Sequence, residues 1–116
     1  MNSTYVKASN FIANTTPRPI TKGVLVKMGQ GQLTQGTVLG KETSSGLCVK
    51  VDKILNTGAE KAYCVLGNDI DTDQGENVLA TGYMTGSFFK DALVFGGEST
   101  LADHEDELRD YQIFAV

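Results

Sequence analysis

GTVLGKETSSGLCVKV, Gly36 to Val51, holds two apolar, β-branched runs on either side of a polar turn. TVLGK at 37–41 and LCVKV at 47–51 have the length and composition of strands. Between them SSG, Ser44 to Gly46, supplies turn residues at hairpin spacing. The stretch therefore reads as a β-hairpin, and its character recurs outward in both directions. VLVKM at 24–28, AYCVL at 62–66, NVLATGYM at 77–84 and SFF at 87–89 are further short strand-like runs, with GQGQ and NTGAE as turns. Thirteen glycines against two prolines fit a turn-rich β protein rather than a disordered chain. There is no internal repeat and no low-complexity tract.

One helix is expected near the end, in GGESTLADHEDELRDYQIFAV. Thr100 can cap with Asp103 three residues on, acids crowd the first turns, and Arg109 lies near the end. Leu101, Leu108 and Tyr111 share one face, with Ala102 and Glu105 beside it, so the helix reads as a short amphipathic cover on the sheet. IFAV then reads as a last strand.

At 116 residues the chain is expected to be one domain with a modest core, a size at which oligomerisation helps. No apolar run approaches the ~18 residues of a membrane span. MNSTYVKASNF lacks the basic-then-apolar layout of a signal peptide, so the chain is expected to stay where it is made. Cys48 and Cys64 form no CxxC pair and sit inside apolar runs, which favours buried free thiols over a disulfide or metal pair.

The net charge of −4 is unevenly spread. Residues 1–30 carry Lys7, Arg18, Lys22 and Lys27 with no acid, whereas Asp91 to Val116 carries seven acids and one Arg. The basic leader is too sparse for a nucleic-acid arm, and no aromatic-basic interleaving supports single-strand binding. A protein partner with an acidic face is the better expectation. Residues 1–20 are rich in Ser, Thr and Asn and end in Pro-Arg-Pro, which excludes a helix there. Such a segment buries too little apolar surface to order alone. Tyr5, Val6, Phe11 and Ile12 nonetheless exceed what a linker needs. The segment reads either as an arm that orders on a partner, for instance by adding a strand to a sheet edge, or as a frayed terminus.

Candidate chemistry is sparse. GNDIDTDQGE, Gly67 to Glu76, spaces Asp69, Asp71 and Asp73 as a calcium loop would. Gln74 stands where such a loop needs Gly and Ala80 where it needs the bidentate Glu, so the stretch reads as a polar connection. His104, in DHED, is the only histidine and is expected to be exposed and structural. Neither cysteine has a catalytic partner nearby in sequence, and GQGQ and FGG match no phosphate-binding loop. No enzyme, cofactor or metal is expected.

From Gly36 onward the order of motifs resembles the head decoration proteins of lambda-like tailed phages. The pieces are GTVLGKETSSG (36–46), YCVLGNDIDTDQGE (63–76), VLATGYMTGSFFKDALVFGG (78–97) and the closing LRDYQIFAV. The acidic stretch is similar to that family's D-V-D turn. Tyr63, Cys64 and Val65 depart from its usual Ala before Gly-Ile-Leu, and the arm carries no motif that aligns residue by residue. The resemblance implies a mainly β fold of β-clip kind with one short C-terminal helix. It also implies a homotrimer on the outer surface of the phage capsid, bound to the major coat protein at threefold and quasi-threefold sites of the expanded head. There it would act as cement against packaged DNA, with no direct contact to nucleic acid or membrane. The division expected is a flexible arm at 1–20 and a single β-rich domain at 21–116. Tyr5, Val6, Phe11, Ile12, Thr15, Thr16, Pro17, Arg18 and Pro19 are the candidate coat-binding residues. The rival readings are a phage tail or accessory β-module, a trimeric nucleotide hydrolase, whose Asp, Ser and Tyr motifs are not found, and a glycan-binding module, which the lack of Trp disfavours.

Overall fold

The computed structural model describes residues 12–14 and 18–116. Within them the strands are β1 (Ile12–Asn14), β2 (Ile20–Val26), β3 (Gln32–Leu33), β4 (Val38–Lys41), β5 (Cys48–Lys50), β6 (Cys64–Leu66), β7 (Ile70–Asp71), β8 (Val78–Phe88) and β9 (Ile113–Ala115). A 3-10 turn spans Lys90–Ala92, and helix α1 spans Leu101–Asp110. Among the described residues the protein is mainly β.

The hairpin of the opening stretch forms as expected: β4 and β5 are antiparallel, with Leu39 opposite Lys50, Gly40 opposite Val49 and Lys41 opposite Cys48. Its turn closes through Glu42 N–H to Leu47 C=O and Gly46 N–H to Glu42 C=O, with Gly46 at a φ of 74°. β4 also pairs with β6, β6 with β8, β8 with β2, and β2 with β5, so five strands close into a small mixed barrel. Within this ring only the β2–β5 pairing is parallel. Closure gives these strands two partners each and removes free edges along the ring.

β8 is the spine. It pairs with β2 from Ile20 opposite Thr85 to Val26 opposite Val78, then runs past the barrel to meet β1 (antiparallel) and β9 (parallel) through residues 86–88. The runs at 77–84 and 87–89 are thus one strand rather than two, because Thr85 and Gly86 stay within the ladder. Gly86 is needed there: its φ is 144°, and an added Cβ would meet the Phe88 ring at 2.9 Å.

Alternation along the strands explains why β6 is buried at every residue. Cys64 and Leu66 point into the barrel with Val24, Val26, Leu33, Leu39, Cys48 and Ala80. Val65 and Val38 point outward, into a second core with Val51, Phe88, Leu93, Leu108 and Ile113. Helix α1 covers this second core. Its buried side chains are His104 and Leu108, with Leu101 half-buried, while Ala102, Glu105 and Tyr111 are exposed. The expected helix is therefore present, but its inward face is Leu101–His104–Leu108.

Two ladders escaped the sequence reading. β3 and β7 pair over two residues each, Gln32 with Asp71 and Leu33 with Ile70, and β1 pairs with the end of β8. Both are too short to show a period of two.

Candidate functional site

His104 is 1% exposed, which corrects the expectation of a solvent-facing histidine. Its Nδ1 lies 2.7 Å from Glu107 Oε1, its Nε2 lies 2.7 Å from Ser99 Oγ, and its ring stacks on Phe95 at 5.8 Å between centroids. The order Ser–His–Glu is that of a hydrolase charge chain, yet its use here is different. Ser99 Oγ accepts the Lys53 backbone N–H at 2.7 Å and Glu107 Oε1 accepts the Ala62 N–H at 2.8 Å. With Ser99 and His104 both buried, the chain ties the 52–62 loop to α1 and presents nothing to a substrate.

The acidic stretch is also accounted for atom by atom. Asp69 Oδ1 accepts the Gln35 N–H at 2.7 Å, Asp71 Oδ1 the Asp73 N–H at 3.0 Å, and Asp73 Oδ1 the Gly31 N–H at 3.2 Å. These carboxylates satisfy backbone donors around the β3–β7 ladder, as turn aspartates do. Among the described residues no group of three or more His, Cys, Asp or Glu is placed to hold a metal ion. Cys48 and Cys64 are free and buried inside the barrel, in one apolar cluster. The neighbouring Cys48 and burial push the Cys64 thiol far above the usual range.

What remains is surface. Of the expected coat-binding residues, Tyr5, Val6, Phe11, Thr15, Thr16 and Pro17 lie outside the described residues. Ile12 stands opposite Phe88 in the sheet and packs, half-buried, on the second core. Arg18 is exposed and Pro19 half-buried, and Thr85 Oγ1 donates to the Arg18 carbonyl at 2.6 Å, holding this end of the segment on β8. The structure thus brings Ile12, Arg18 and Pro19 together along the last part of β8. Among the described residues β1 and β9 each pair with β8 alone, so this small sheet offers outer edges on both sides.

Exposed apolar side chains lie along the same spine. Leu25 and Leu79 are cross-strand partners on β2 and β8, at 43% and 75% exposure. Ile20, Phe89, Phe114 and Val116 are exposed around its other end. Phe88, by contrast, is fully buried core, and Phe95 is half-buried against His104. Sequence reasoning missed Leu25 and Leu79, because a leucine inside a strand run reads as core until the register is known.

A family model described as bacteriophage lambda head decoration protein D matches residues 3–113. The chain belongs to the bacteriophage lambda head decoration protein D family. Head decoration is a structural role on the capsid surface of the virion, and the family is not enzymatic. Both fit a molecule whose His104, Ser99, Cys48, Cys64, Asp69, Asp71 and Asp73 are spent on its own scaffold. The match takes in most of the leader as well as the barrel, so the segment before β2 belongs to the head decoration pattern. No curated protein matches the chain.

Proposed function

We propose that this head decoration protein assembles as a trimer at the threefold and quasi-threefold positions of the expanded head and stabilises the shell against packaged DNA. The observation that carries the reading is the family match across residues 3–113, leader included. The leader, residues 1–20, is the coat-binding arm, and residues 21–116 form the trimer body. Tyr5, Val6, Phe11, Thr15, Thr16, Pro17, Arg18 and Pro19 carry the contact, while Ile12, packed on the body, fixes where the arm departs.

The physics suits the role. Leader residues that order only on the partner bind weakly by themselves, because ordering consumes conformational entropy. Three arms on one trimer raise the effective concentration of each, a gain of about 10² to 10⁴ in avidity. A site formed only by expansion confines binding to the mature shell, and whatever binds that state alone stabilises it.

The test is co-sedimentation with expanded heads lacking decoration, using the full chain and a chain without residues 1–20. Saturation at three copies per threefold site, lost on deletion, is expected. Equal binding by the shortened chain would refute the arm's role.

A further inference from the structure

We infer that a basic, tyrosine-floored groove beside the barrel receives the acidic ridge of α1 from a second copy of this chain, and that this contact closes the ring. The inference rests on the trimer reading above and names the two faces involved. The groove is a cleft of about 380 Å³ lined by Lys41, Lys61, Tyr63 and Tyr111, among others. It adjoins a smaller crevice that shares Lys41 and Tyr63 and adds Lys22. Tyr63 and Tyr111 meet edge to face at 6.3 Å, and Lys41 Nζ lies 5.1 Å from the Tyr63 ring centroid, so the floor is aromatic and already ordered.

The groove carries more positive charge than its own carboxylates offset. Lys22, Lys41 and Lys61 are exposed and have no salt-bridge partner among the described residues. Glu42, also in the wall, is engaged by Lys27 at 3.2 Å and by the Ser45 hydroxyl at 2.7 Å. Glu60, next to Lys61, accepts the Gly58 N–H at 2.8 Å. The groove therefore presents ammonium groups free of salt bridges beside tyrosine rings, a composition suited to a carboxylate-bearing partner surface.

Each copy supplies that surface itself. On α1, Asp103 is held by Lys53 and Thr100, and Glu107 by His104 and Ala62. Asp106 and Asp110, one turn apart, remain on the outward face. Asp106 is 99% exposed, with only a long 3.7 Å contact to Arg109. A closed threefold ring joins two different faces, one from each neighbour. This chain carries a basic groove and an acidic helical ridge, and like-charged alternatives such as groove on groove are repelled.

Zero-length carbodiimide coupling tests the contact, because it joins a lysine amine only to a carboxylate in direct reach. Expanded heads are decorated with an equal mixture of unlabelled and ¹⁵N-labelled full-length protein, coupled, and digested for mass spectrometry. Mixed-isotope peptides linking Lys41 or Lys61 to Asp106 or Asp110 are expected. A Lys41→Glu/Lys61→Glu chain should bind heads about tenfold more weakly, with binding restored by adding Asp106→Lys/Asp110→Lys. Mixed-isotope links confined to other pairs, or unimpaired binding by the double glutamate chain, would overturn the inference while leaving the trimer standing. Heads carrying isolated single copies with no mixed-isotope link would refute the trimer reading itself, and this inference with it.

Discussion

Replacing Gly40 with alanine tests the packing between the barrel and the 52–62 loop. An added Cβ would sit 2.5 Å from the Ala59 carbonyl oxygen and 2.7 Å from its Cα, where ordinary contacts begin at 3.4 Å. Neither neighbour gives way easily. Gly40 lies mid-strand, opposite Val49, and Ala59 is fully buried with its carbonyl accepting the Asp52 N–H. Overpacking costs about 1–3 kcal/mol, and a clash with backbone belongs at the upper end of that range, about 3 kcal/mol. A chain of this length is stable by roughly 6–17 kcal/mol at ~0.05–0.15 kcal/mol per residue, so the loss is a large fraction. The midpoint of thermal unfolding should fall by about 10–20 °C. Gly23→Ala is the control, because its Cβ would meet only Leu79 Cδ1, at 3.6 Å, and stability should change by less than ~1 kcal/mol. Urea unfolding followed by circular dichroism and tyrosine fluorescence reads both, the chain having no Trp. A Gly40→Ala protein within ~0.5 kcal/mol of the parent would refute the packing argument.

Phe88→Ala, at the junction of β1, β8 and the second core, should cost about 3–5 kcal/mol in the same unfolding assay. His104→Ala leaves Ser99 and Glu107 with only their backbone donors, Lys53 N–H and Ala62 N–H, and opens a cavity beside Phe95, with an expected loss of about 3 kcal/mol. Head binding by the fraction still folded should be unchanged, since the network is scaffold. Cys48 and Cys64 should resist a thiol reagent in the native protein and both react in urea; rapid native labelling would contradict their burial. The Thr100 N–H, with its hydroxyl and Lys53, holds the Asp103 carboxyl below its usual range. A depressed folded value stabilises above the unfolded one, near 3.9, and that contribution disappears as pH falls through the folded value. Urea midpoints should therefore decline below about pH 4, less steeply for Asp103→Asn, and equal slopes would count against the cap.

The hairpin at 36–51 was readable because its turn residues and its two apolar runs point to the same local structure. The helix start was readable for the same reason, Thr100 and Asp103 forming the expected cap at 2.8 Å. The inward face of α1 was not, since histidine between carboxylates looks solvated until Ser99 and Glu107 are brought to its two nitrogens. Barrel closure was equally hidden: it depends on β2 meeting β5 at one residue pair, Val26 and Cys48, which no periodicity announces. The exposed leucines of β2 and β8 and the lysine groove arise from that closure, which selects which side of each strand faces out. Family membership could be recognised from motif order, whereas the surfaces a partner touches could not.

The most direct measurement is cryo-electron microscopy of expanded heads lacking decoration, after saturation with this protein. Three copies should stand around each threefold and quasi-threefold position, with the leader around Tyr5, Val6, Phe11 and Thr15 to Pro17 traced onto coat subunits. Density for this chain at any other position, or none at all on saturated heads, would contradict the capsid-cement reading.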